Sequence, residues 1–253
     1  MHSPPLVVLA LILAGFAAGF VDSIAGGGGI ISLPALLAAG LPPHLALGTN
    51  KLQACLGTTM AATNYARRGL VTTAELPVGV ACTAAGSLGG AALVTHLSSM
   101  WLARAIPWLL VAIFAYVVRA PRFGAASCAA RLGAGPFGAL FGLVLGFYDG
   151  FFGPGTGSFW MIGFIALRGL SFPQATAQTK VMNLTSNAVA LAWFAAHGDV
   201  VWSLGLCVGA ANVAGAATGS SLAVEKGAPL IRAFFLVAVA ATLAHLARKS
   251  LGL

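Results

Sequence analysis

A chain of 253 residues that is 59% hydrophobic and only 7% charged, with mean hydropathy +0.94, cannot cover a water-facing surface, for which about 25% charge is usual. The formal net charge of +8, from 13 Lys and Arg against 5 Asp and Glu, would suggest nucleic acid in a soluble protein. Here no basic patch is interleaved with aromatics, and basic cytoplasmic loops of a membrane protein account for the excess.

The apolar runs are long and rich in Leu, Ala, Val and Gly. That excludes a barrel of short alternating strands and predicts an all-α integral membrane protein. The opening MHSPPLVVLALILAG lacks the basic start of a signal peptide and reads as a retained first helix. Residues 5–25 are long enough to span. Four glycines follow, and then 30–39, too short to cross ~30 Å of hydrocarbon, reads as a half-helix. Gly40–Leu41–Pro42–Pro43 ends it. Residues 44–66 form a long segment closed by Arg67–Arg68, and 71–96 and 99–118 supply two more spans.

The stretch 119–134 contains Arg119, Arg122 and Arg131, no acid, and breakers at Pro121 and Gly124. It predicts a basic cytoplasmic loop between an N-terminal repeat (1–118) and a C-terminal repeat (135–253). The second half runs through the same series: a span over 135–152, a glycine-rich break, a short helix over 158–167, a long segment over 172–196, and spans over 200–222 and 229–247.

Two stretches define the repeat. Residues 19–29 read GFVDSIAGGGG and residues 146–156 read GFYDGFFGPGT. Gly19, Phe20, Asp22, Gly26 and Gly28 recur 127 positions later. Further along, the offset becomes 129, pairing Lys51 with Lys180, Gly86 with Gly215, and Gly90 with Gly219. Duplicated halves with interrupted helices at matching places point to a secondary transporter. We read the repeats as inverted, with about ten helical segments, two of them half-helices.

Lys51 and Lys180 each lie well inside a long helix, where a charge costs at least ~2.5–3.5 kcal/mol. Three readings are open. The amines can snorkel to headgroups. They can pair with Asp22 and Asp149, within each half or crosswise. Or they can attract an anionic substrate while Asp22 and Asp149 bind protons or orient them. Neutral donors cluster nearby: Thr49, Asn50, Gln53 and Thr58 in one half, Gln178, Thr179, Asn183 and Asn187 in the other. Lys180, Asn183 and Asn187 share one helix face. Ser23, Ser32, Thr156 and Ser158 could add hydroxyls. The half-helices would aim free N–H groups, from Gly27, Gly28, Gly155 and Thr156, at an anion.

The four cysteines form no CxxC pair and the five histidines no ligand spacing, so no disulfide, metal or cofactor is expected. No nucleophile–base pair is spaced for an enzyme.

DSIAGGGGIISLPALLAAGLPPHLALGTNKLQA and GFYDGFFGPGTGSFWMIGFIALRGLSFPQATAQTKVMN resemble the two signature stretches of the TauE/SafE sulfite exporter family, or TSUP permeases. The likeness covers nearly the whole chain and is greatest to the branch with TNK and GFYDGFFGPG elements. It implies a bacterial inner-membrane carrier of two homologous halves, with sulfur-containing anions such as sulfite and sulfonates as substrates. Asn50–Lys51 and the QTK of the second half stand where the commoner wording is GTS, and the added positive charge suits an anion. The partners expected are a small anion and the lipid bilayer, with no nucleic acid; a coupled proton and a second copy of the chain are allowed for. A carboxylate carrier and a passive anion channel are the alternatives.

Overall fold

A computed structural model describes residues 5–73, 76–119 and 130–226. Among these, all regular structure is helical: α1 (Pro5–Ala25), α2 (Gly29–Ala38), α3 (Pro43–Arg67), α4 (Leu76–Thr95), α5 (Ser99–Arg119), α6 (Ala134–Phe151), α7 (Thr156–Arg168), α8 (Phe172–Ala196) and α9 (Trp202–Lys226). The expected span over 229–247 and most of the connecting loop lie outside the described residues.

Helix limits follow local chemistry. Pro43 and Pro173 occupy first-turn positions of α3 and α8, where proline's missing N–H costs nothing. At α8 a capping box adds to this, with Ser171 and Gln174 bonded reciprocally. α4 begins at Leu76 rather than at the expected 71, and Pro77 then falls in its first turn. The carbonyl and hydroxyl of Thr72, ahead of it, meet the amide nitrogen of Gln178 at 2.7 and 2.5 Å.

Helices α1, α4, α6 and α9 are long and apolar enough to cross a bilayer. Their outward side chains include Leu6, Leu13, Leu140, Val144 and Leu206, all well exposed. Such a surface suits lipid and not water. The polar long helices α3 and α8 lie inside, with their central residues buried. α5 turns Leu102, Ile106, Leu110 and Ile113 inward at helical spacing and leaves Trp101 and Trp108 outside.

The packing repeats with the sequence. Glycines let α1 lie against α9, and α6 against α4, at backbone contact. A β-carbon at Gly215 would stand 2.0 Å from the Phe16 carbonyl oxygen and 2.8 Å from the Phe20 nitrogen. One at Gly86 would stand 2.4 Å from the Leu143 oxygen and 2.8 Å from the Phe147 nitrogen. The offsets are those of the sequence repeat, so each half lends its first helix to the other. Small residues at such contacts are how helices approach closely in lipid.

Candidate functional site

Both helix breaks meet at the centre. α1 ends at Ala25 and α2 starts at Gly29; α6 ends at Phe151 and α7 starts at Thr156. Gly26 and Gly153 hold φ of +70° and +99°, which side chains rarely adopt. A β-carbon on Gly26 would fall 2.5 Å from the Gly157 α-carbon. Ser158 donates from its N–H to the Gly26 carbonyl at 3.0 Å, and its hydroxyl reaches the carbonyls of Ala25 and Gly26, each at 3.0 Å. The second break is braced further. Tyr148 donates to the Pro154 carbonyl at 2.6 Å, and Thr156 to the Gly153 carbonyl at 2.6 Å.

The lysines reach across to the opposite halves. Lys51 Nζ contacts Asp149 Oδ1 at 2.7 Å, the Asp149 carbonyl at 2.5 Å and Asn187 Oδ1 at 3.2 Å. Lys180 Nζ contacts Asp22 Oδ2 at 3.1 Å and also donates to the Asp22 carbonyl. The pairing is therefore crosswise, and neither amine snorkels: the lysine side chains are 2% and 0% exposed. Each ammonium also meets a carbonyl in the last turn of a partner helix, α6 or α1, where a cation complements the helix dipole.

Around these pairs lies a polar cavity of about 30 Å³, lined by Asp22, Gly26–Gly29, Asn50, Lys51, Gln53, Ala54, Asp149, Gly153, Gly155–Gly157, Asn183, Asn187 and Asn212. That volume admits about two water-sized groups at ~10–15 Å³ each. Most of the residues expected from sequence thus come together: Asp22, Gly27, Gly28, Asn50, Lys51, Gln53, Asp149, Gly155, Thr156, Asn183 and Asn187. Lys180, Thr49, Gln178 and Thr179 do not line the cavity. Thr49 Oγ1 accepts the Val201 N–H at 3.0 Å, Gln178 holds Thr72, and the buried Thr179 hydroxyl has no partner among the described residues. The Gly28 N–H, at the start of α2, points to Asp22 Oδ1 at 3.4 Å.

A chain of side chains runs along one wall. Ser32 Oγ lies 2.6 Å from Asn50 Oδ1, Gln53 Nε2 lies 2.8 Å from the same oxygen, and Asn212 Nδ2 lies 2.5 Å from Gln53 Oε1. Asn212 was not among the expected residues. The available signal was an amide in the apolar run of α9, 129 positions after Thr83, since polar groups at membrane depth are costly unless used. Ser186, also unexpected, donates to Asp149 Oδ2.

Paired, buried charges around a small polar cavity, where two broken helices cross inside a helical bundle, define a membrane transporter. Comparison with known proteins agrees: residues 11–246 match the family described as Sulfite exporter TauE/SafE, and the chain belongs to it. It is 40% identical over 248 residues to the probable membrane transporter protein YfcA of Escherichia coli K12, covering 98% of this chain and 92% of that one. It is 45% identical over 228 residues to the probable membrane transporter protein ORF9 of Sinorhizobium sp, covering 90% and 87%. The probable membrane transporter protein of Haemophilus influenzae is 39% identical over 227 residues, covering 90% and 89%. No solved structure matches. The protein is a transporter and not an enzyme, and as a multi-pass helical protein with bacterial relatives it resides in the inner membrane.

Proposed function

We propose that this protein is a secondary carrier for a small sulfur-containing oxyanion, such as sulfite or a short sulfonate, moved outwards by alternating access between two inverted repeats. The observation that carries the reading is Lys51: an ammonium at membrane depth that lines the cavity. Beside it, Asn187 gives its Oδ1 to the lysine, which leaves the Nδ2 donors of that amide for an incoming acceptor. The size of the cavity supports a compact solute, and the crossing of both breaks within it supports a site shared between halves.

Each ammonium is neutralised by an aspartate, so an anion must loosen a pair to bind. Protonation of a carboxylate does this, and it couples transport to protons. The test is uptake of radiolabelled sulfite by proteoliposomes. Wild-type protein gives saturable uptake and counterflow, and Lys51→Met abolishes both. Uptake unchanged in both Lys51→Met and Lys180→Met overturns the anion site. Large single-channel currents without counterflow overturn the carrier. A thermal-shift series of sulfite, thiosulfate, sulfonates and carboxylates then ranks substrates, since a ligand of the folded form alone raises its stability.

A further inference from the structure

The two lysine–aspartate pairs share a sequence pattern but not an environment. Asp149 is 5% exposed and both its oxygens are engaged, Oδ1 by Lys51 at 2.7 Å and Oδ2 by the Ser186 hydroxyl. Both carboxylates line the cavity, but Asp22 is 23% exposed. Its Oδ2 meets Lys180 at 3.1 Å, and among the described residues its Oδ1 has only the Gly28 N–H at 3.4 Å, beyond the usual range for such a bond. The lysines differ in the opposite sense. Lys51 lines the cavity, whereas Lys180 is fully enclosed behind Asp22 and touches no part of it.

An anion in this cavity therefore meets one ammonium, Lys51, and one open carboxylate, Asp22. Like charges so close disfavour joint occupancy, and a proton on Asp22 removes the conflict. The charged and titratable groups facing Asp22 are few. Lys180 comes from α8, Lys51 and Tyr65 from α3, and Asp149 from α6. Tyr65 donates to the neighbouring Ser23 carbonyl at 2.9 Å. α2 has no titratable residue, Arg168, the one in α7, is the last residue of that helix, and α9 carries the exposed Cys207 in its second turn and Glu225 and Lys226 as its last two residues.

We propose that Asp22, and not Asp149, is the proton-accepting group of the transport site, that one proton enters there with each anion, and that Lys180 is a positioning residue that sets how readily Asp22 protonates. This rests on the anion-carrier reading above and divides labour within it. Lys51 binds the anion, Asp149 holds Lys51, Asp22 takes the proton, and Lys180 holds Asp22 as a carboxylate until solute arrives.

The experiment uses purified full-length protein and two anions whose own charge is constant between pH 5 and 8.5, methanesulfonate and thiosulfate. Binding is followed by calorimetry, and carboxyl protonation by infrared difference spectra without ligand. In wild type, affinity rises about tenfold per pH unit of acidification above the Asp22 midpoint, the slope for one linked proton. Asp22→Asn binds with no pH slope and loses the titrating carboxyl band. Asp149→Asn keeps both slope and band while binding weakens. Lys180→Gln moves the midpoint to higher pH, because the carboxylate has lost its counter-charge, and Lys180→Arg restores it. A slope that survives Asp22→Asn, or a band that disappears in Asp149→Asn instead, overturns the assignment. If Asp22→Asn does not fold, an unmoved midpoint in Lys180→Gln overturns it equally. Failure of wild type to bind either anion at any pH counts against the anion reading, and the infrared titration still decides the role of Asp22.

Discussion

Lys51→Met tests whether the central charges are both glue and binding site. Methionine matches the lysine stem, so packing is nearly retained and the ammonium alone is lost. Asp149 is then left 5% exposed without a cation, although the Ser186 hydroxyl still reaches it. Removing one member of a buried pair costs ~3–5 kcal/mol because the other charge is stranded. At roughly 2–4 °C per kcal/mol for a chain of this size, the melting temperature falls by ~6–20 °C. Adding Asp149→Asn removes the stranded charge, and Ser186 retains an acceptor. The double variant should recover most of the lost stability. Transport should stay absent in both, because the ammonium facing the cavity is gone. Thermal unfolding in detergent and proteoliposome uptake provide the two readouts. A double variant no more stable than the single one refutes the crosswise pair, and transport at wild-type rate in either variant refutes the binding role.

Other substitutions probe the surrounding frame. Gly86→Val and Gly215→Val should each collapse folded yield in size-exclusion profiles, since even a β-carbon there meets backbone at 2.4 and 2.0 Å; Gly135→Ala, with open space around it, should be tolerated. Tyr148→Phe removes the 2.6 Å bond to the Pro154 carbonyl, so stability should drop by about 1 kcal/mol and hydrogen exchange should quicken at residues 152–155. Asn212→Leu strands Gln53 Oε1 in a buried place. It should cost ~1–3 kcal/mol and weaken anion binding in calorimetry without altering its pH slope.

Much of this architecture was legible because it is local. The break at Gly26–Gly28 follows from glycine's poor helix propensity, the start of α3 from Pro42–Pro43, and the depth of Lys51 from rise per residue. What could not be read was which helix end each lysine would meet. That choice depends on α1 packing against α9 and α6 against α4, contacts made by glycines far apart in sequence. Asn212 escaped for the same reason: its partner Gln53 lies 159 residues away. The helical limit expected at 71 moved because the placement of Pro77, rather than hydropathy, sets the start of α4.

The inequivalence of the two pairs also has a sequence origin. Asp22 and Lys51 are 29 positions apart (51 − 22), whereas Asp149 and Lys180 are 31 apart (180 − 149). The extra length falls on the short helices, since α7 has 13 residues and α2 has 10. A longer connecting helix changes where the following lysine sits relative to the crossing point. Tyr148 and Pro154, standing where the first half has Val21 and Gly27, brace the second break from within, whereas the first is held by Ser158 of the opposite half. A site with two identical ion pairs would hold its anion and its proton in competition for the same groups. Unequal halves separate the tasks, leaving one of the two cavity-lining carboxylates the more exposed and burying the ammonium that restrains it.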